Sequence, residues 1–295
     1  MVLSVFATSP TTLLVSSPYF LELHMGQFTF VTVALLILAL GLLEQTTTAA
    51  CAGGVLAFIA AALLKIFPLV SLAAMLRHRR GLLAAASAAV LLLATSLPTF
   101  VAHPELWSSF TLSNFGDTGL EGFHGGNYGL VYVMFLVARA LGGPTGVQGF
   151  LHFATLWQVF LIGGIAIFVV WSKPTLLTGG LALTLGHMLS YRHVWEHHAS
   201  GAVLIAVFLL ARLHRERGWS GRWIALACLV VLALPTPFVL VDALNVRVYD
   251  PTPMWSATAR FVLPLCKAIP ELILCVLALI QCKRERALAR PTAST

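Results

Sequence analysis

The chain has 295 residues, of which 59% are hydrophobic and only 10% charged, and it carries a net charge of +7. A soluble domain would hold about 25% charged residues, and a mean hydropathy of +0.90 excludes a soluble enzyme, a disordered chain and a disulfide scaffold. A multi-pass membrane protein remains, and the positive balance then means either nucleic acid or cytoplasmic loops facing an anionic leaflet.

A bilayer core about 30 Å thick takes roughly 20 apolar residues of helix. Segments near that length or somewhat shorter run over 28–43, 49–65, 82–101, 148–171, 175–191, 194–213, 222–244 and 258–281. Shorter apolar pieces occupy 2–16, 67–76 and 128–142. Pro68 follows closely on Lys65, so 49–76 reads as a helix, a break at Lys65–Pro68 and a short returning piece. The five cysteines, Cys51, Cys228, Cys266, Cys275 and Cys282, lie in or beside apolar runs with no metal-like spacing. They read as small hydrophobes.

Twelve of the 18 basic residues fall in four groups: Arg77, Arg79 and Arg80; Lys173; Arg212, Arg215, Arg217 and Arg222; and Lys283, Arg284, Arg286 and Arg290. The positive-inside rule places these groups in the cytoplasm, which answers the charge question without nucleic acid. Segments 102–127, 192–196 and 245–257 then fall outside. If 128–142 crossed the membrane, the run from Arg212 to Arg222 would move outside too. The stretch 102–147 therefore reads as one extracytoplasmic segment containing a short interfacial or re-entrant helix. The expected organisation is a single helical membrane domain over 1–282 with 8 to 10 membrane helices, followed by a basic cytoplasmic tail, 283–295.

Ionisable residues at membrane depth mark function by default. Lys65 ends the second span on the outer side, either snorkelling to the interface or holding a lipid phosphate. The densest cluster runs Tyr191-Arg192-His193-Val194-Trp195-Glu196-His197-His198. A helix beginning near Arg192 would put Arg192 with Glu196, and His193 with His197, on shared faces. Three readings stand: an interfacial helix end with Trp195 in the aromatic belt, a divalent-metal pair at HxxxH spacing, or a polar catalytic pocket at the outer face. The outer segment adds Asn114, Asp117, Glu121, His124, Asn127 and Tyr128 among interleaved glycines. The last span carries Arg260, Lys267 and Glu271 between Pro264 and Pro270. Lys267 and Glu271 can pair across one turn, and Arg260 or Lys267 can contact a phosphate. The nucleotide-binding and hydrolase motifs built on glycine-rich or HExxH patterns do not occur.

Four blocks in order resemble glycosyltransferase family 87, membrane enzymes that use polyprenyl-phosphate sugars. They are Met25-Gly26-Gln27; Ala52-Gly53-Gly54 through Lys65 and Pro68 to Arg77-His78-Arg79-Arg80; Gly125-Gly126-Asn127-Tyr128 with Arg139; and Val194-Trp195-Glu196-His197-His198. The resemblance implies an all-α GT-C-like bundle with an extracytoplasmic active site. It implies Lys65 at the donor phosphate, with Gln27, Asn127, Glu196, His197 and His198 lining the sugar and acceptor pocket.

Family members carry a further N-terminal helix and an outer loop bearing an acidic base. Residues 1–27 hold Glu22 as their only acid, so the expectation is a chain lacking that N-terminal part and its usual base. The other reading of the same departure keeps the chain active, with Glu196 or Asp117 as the catalytic carboxylate and His197 beside it, whereas a truncated chain is expected to be an inactive fragment. Tyr128, Trp195, His198, Arg260 and Lys267 join the substrate-binding set.

The expected function is transfer of a sugar, mannose by the resemblance, from a polyprenyl-phosphate donor to a lipid or glycan acceptor. No cofactor is assigned beyond the divalent-metal reading above. The rivals are a flippase for lipid-linked glycans, suited by the proline-broken last span, and a haem or quinone protein ligated by His187, His197 or His198.

Overall fold

Lipid offers the backbone no hydrogen-bond partners, so long apolar runs with few breakers close their N–H and C=O groups internally as helices. The computed structural model describes residues 27–76, 78–115, 127–215, 221–234 and 256–288, together with Ser16, Pro18 and Glu22. Among them the longer helices are α1 (Thr29–Leu43), α2 (Thr48–Leu64), α3 (Arg79–Ala102), α4 (Glu105–Phe115), α5 (Leu130–Ser172), α6 (Leu176–Ser190), α7 (Ala199–Arg215), α8 (Gly221–Ala233) and α9 (Ala257–Leu288). No strand occurs among the described residues.

Among the described residues, four helices are long and apolar enough to cross a membrane: Arg80–Ala102, Gly149–Ser172, Glu196–His214 and Ala257–Leu288. Shorter apolar helices cover Thr29–Leu43, Thr48–Leu64, Leu130–Gly143, Leu176–Ser190 and Gly221–Ala233. The chain is an all-α membrane protein. Of the expected span 222–244, the described helix is Gly221–Ala233, and 235–250 lies outside the described residues.

Local signals set several boundaries. The Thr47 hydroxyl accepts from the Ala50 amide and starts α2. That helix stops at Leu64 because Lys65 is extended, and the chain continues as a 3-10 turn, Phe67–Ser71, with Pro68 in its first positions. A short helix, Leu72–Met75, follows. In α5 the break falls at Gly143, with φ 53° and ψ −143°, a conformation that disfavours any side chain. The first arm, Leu130–Gly143, is about 20 Å long at about 1.5 Å per residue, shorter than the hydrocarbon core.

Helix α6 is central. It packs against α1, α5, α9 and the Phe67–Ser71 turn, and nearly every residue from Leu176 to Ser190 is buried. Gly180 lets Leu40 of α1 approach, and Gly186 lets Ile165 of α5 approach, where a Cβ would collide with each. Membrane helices associate through this kind of close backbone packing, since lipid is as apolar as leucine. By contrast, α3 and the second arm of α5 leave most of their apolar side chains bare, Leu83, Leu93 and Phe160 among them. Those faces suit lipid.

The two ends of the bundle differ. At one end the Arg80 guanidinium donates to the Gln45 and Thr46 carbonyls. Nearby, Glu44 accepts from the Leu177 amide at 3.0 Å, and Glu285 accepts from the Thr175 amide and the Thr178 hydroxyl, both at 2.8 Å. Arg212 pairs with Glu285 at 2.6 Å, and Arg286 stacks on Trp171 at 3.7 Å. Members of the basic groups thus meet on one face, where two carboxylates cap the positive N-terminus of α6. Following α2, α6, α7 and α9 away from that face leads to Lys65, Tyr191, Glu196 and Lys267 at the other end.

Candidate functional site

The site is built where α2 and α6 end and α7 begins. After Ser190 the chain runs non-helically through Tyr191–Trp195, makes a 3-10 turn at Glu196–His198 and enters α7 at Ala199. This corrects the helix expected from Arg192. Its cause lies across the chain, at the start of the Leu130 arm. The Asn127 amide donates to the Arg192 carbonyl, and its Oδ1 accepts from the Gly129 amide at 2.9 Å and the Val194 amide at 3.3 Å. The Tyr128 amide donates to the Val194 carbonyl at 2.6 Å. These contacts hold residues 192–194 extended, so His193 and His197 lose the shared helical face on which the HxxxH reading rested. Among the described residues, no group of three or more His, Cys, Asp or Glu is arranged to hold a metal ion.

Inside the turn, the Trp195 amide donates to His198 Nδ1 at 2.9 Å. An accepting Nδ1 leaves the proton of neutral His198 on Nε2. The His197 and His198 rings lie 4.3 Å apart. Tyr191 sits edge-on to His198 and stacks on His187, which stacks in turn on Phe67. A column of aromatic and imidazole rings therefore descends from the turn into the bundle.

Lys65 stands beside this column, within electrostatic reach of His197 and His198. Its ammonium donates to the Thr29 hydroxyl at 2.8 Å and remains part-exposed. Glu22 is the residue that sequence reasoning left out. It is 1% exposed, accepts from the Phe30 amide at 2.6 Å and the Ser200 hydroxyl, and feels the Lys65 charge. Burial pushes its carboxyl above the ordinary carboxylate range, against the pull of Ser200, Phe30 and Lys65. One signal was available: Glu22 is the only acid before Glu44, and Ser200 follows the histidine pair within two residues.

The remaining expected residues divide. Glu196 is 3% exposed, with Oε1 3.6 Å from Lys267 Nζ. Lys267 also donates to the Leu232 and Leu234 carbonyls, and Glu271, the partner expected one turn along, acts on it through its charge. Neither Glu271 oxygen has a hydrogen-bond partner among the described residues. Tyr128 is buried, Gln27 and Trp195 are part-exposed, and Arg260 is exposed in the first turn of α9. Asp117, with Glu121, His124 and the glycines at 116, 119, 122, 125 and 126, lies outside the described residues.

The bundle is a membrane protein in which Lys65, Glu196, His197 and His198, expected from the sequence as site residues, gather at the end opposite its basic face. The family model of glycosyltransferase family 87 matches residues 3–192, well over half of the chain, and the chain belongs to that family: it is a membrane glycosyltransferase. Glu22, Lys65 and Asn127 fall within the matched stretch, while Trp195–His198 lies just beyond it. No curated protein and no solved structure matches the chain.

Proposed function

We propose that this enzyme moves a hexose, mannose by the family resemblance, from a polyprenyl-phosphate donor to a hydroxyl of a lipid or glycan acceptor. The Lys65 end of the bundle is the extracytoplasmic face in this reading, and the basic end with the C-terminus is cytoplasmic. The observation that carries it is the neighbourhood of a buried carboxylate, Glu22, and a part-exposed ammonium, Lys65. Transfer with inversion needs both charges: a base for the incoming hydroxyl and a cation for the departing phosphate.

Glu22 takes the proton from the acceptor hydroxyl, in the role first expected of Glu196 or Asp117. The freed oxygen attacks the anomeric carbon opposite the leaving group. The bond from that carbon to the phosphate oxygen breaks, and the lipid phosphate leaves with the electron pair. An ammonium carries three donors, of which Thr29 takes one, so Lys65 can meet the phosphate as its charge grows. His197 and His198 serve the sugar hydroxyls, His198 through its Nε2–H. Gln27, Tyr128 and Trp195 border the acceptor side, and Arg260 offers a second phosphate contact.

Purified protein given radiolabelled polyprenyl-phosphate mannose and membrane acceptors tests the assignment. Glu22→Gln and Lys65→Ala each lower transfer by about 100-fold or more. Wild-type turnover in both variants would overturn it.

A further inference from the structure

We infer that Lys267 is a positioning residue that fixes the Glu196–His198 turn, and that it makes no contact with substrate. Its ammonium is 1% exposed and has three acceptors around it. These are Leu232 O at 2.7 Å, Leu234 O at 2.9 Å and Glu196 Oε1 at 3.6 Å. Two of a lysine's three donors go to carbonyls, the third faces the Glu196 carboxylate at ion-pair distance, and burial leaves the ammonium no opening for a phosphate. Two acceptors are carbonyls closing α8, where backbone groups lack helical partners and the dipole favours a cation. The third opens the turn that carries His197 and His198.

Lys267 therefore bolts three elements at one point: the end of α8, the body of α9 and the entrance to α7. Pro264 and Pro270 flank it in α9, and each removes a backbone N–H donor from the helix around this point. From the other side, Asn127 holds residues 192–194. The turn is thus fixed at both its approach and its first residue, and His197 and His198 are presented to Lys65 from it. A buried charge pair of this kind suits specificity of geometry better than stability, because desolvation offsets much of its attraction. The inference rests on the transfer reading above for its catalytic consequence, while the Lys267–Glu196 coupling stands apart from it.

The experiment is a double-mutant cycle on the full-length protein in detergent: K267M, E196Q and K267M/E196Q, read by thermal unfolding and by transfer kinetics with a polyprenyl-phosphate sugar. K267M takes the ammonium away from the buried Glu196 carboxylate, so it lowers the unfolding temperature more than the double variant does. A misplaced turn costs about 100-fold in kcat, alike in K267M and the double variant, with the donor KM within about 2-fold of wild type. Independent, additive shifts in unfolding temperature would overturn the inference. So would a raised donor KM with kcat kept, which would make Lys267 a phosphate contact. If K267M fails to accumulate as folded protein, recovery in K267M/E196Q is the predicted result and its absence contradicts the proposal. A wild-type protein that transfers nothing would remove the donor reading, yet the unfolding cycle would still decide the coupling.

Discussion

Two carboxylates near the same end of the bundle have different surroundings, and the difference sorts their chemistry. Glu196 faces the buried ammonium of Lys267 at 3.6 Å and is engaged there. Glu22 is desolvated, is held by one hydroxyl and one amide, and stands close to Lys65. A base must be ionised to accept a proton, so a carboxyl raised by burial puts the acid limb of the rate profile above the ordinary carboxylate range. The Ser200 hydroxyl donates to the charged form and so lowers that value. Ser200→Ala therefore moves the acid limb to higher pH, measurable in kcat/KM against pH, and Glu22→Gln abolishes the limb along with about 100-fold or more of the rate. An unmoved limb in Ser200→Ala would separate Glu22 from the titrating base.

At the scale of elements, glycine pairs give matched tests. Gly142 and Gly143 both have open space where a Cβ would stand, but only Gly143 has positive φ. Gly143→Ala should cost about 1–3 kcal/mol of torsional strain, whereas Gly142→Ala, in helical conformation, should be neutral or gain up to about 1 kcal/mol. Thermal unfolding of the two variants compares them directly. Gly180→Leu, forced against Leu40 of α1, should lose about 1–3 kcal/mol or more by overpacking.

Elements governed by neighbouring residues were legible in the sequence. The break at Lys65–Pro68 followed from proline chemistry, and the apolar runs marked most of the helices. The stretch 191–195 was not, because its extended path is imposed by Asn127, whose side chain bonds residues 65 and 67 positions away. Spacing along one segment carries no trace of such a partner. For Lys267 the sequence showed only the local neighbour Glu271, whose charge does reach it; Glu196, the carboxylate at 3.6 Å, lies across the fold. Glu22 went unselected because an isolated acid in an apolar N-terminal stretch shows no pattern until Ser200 and Lys65 are brought to it.

For the whole molecule, composition settled the membrane class, and the family blocks settled the enzyme class. The charge groups that pointed to a cytoplasmic face come together at one end of the fold, tied by Arg80, Arg212, Glu285 and Arg286. Single cysteines at His103 and Lys173, in a background without native cysteines, test that polarity with a membrane-impermeant maleimide on intact cells. Position 103 should label and position 173 should label only after permeabilisation; the reverse would invert the topology.

In the proposed reaction the sugar arrives on a polyprenyl phosphate and is taken at the Lys65 end. Its most direct test offers full-length wild-type protein the same labelled sugar in two forms, polyprenyl-phosphate-linked and nucleotide-linked, with membrane lipids as acceptors. Label should enter lipid or glycan product from the polyprenyl phosphate alone, with the signal lost in Glu22→Gln. Label entering product from the nucleotide sugar instead, or from the polyprenyl phosphate equally well in Glu22→Gln, would contradict it.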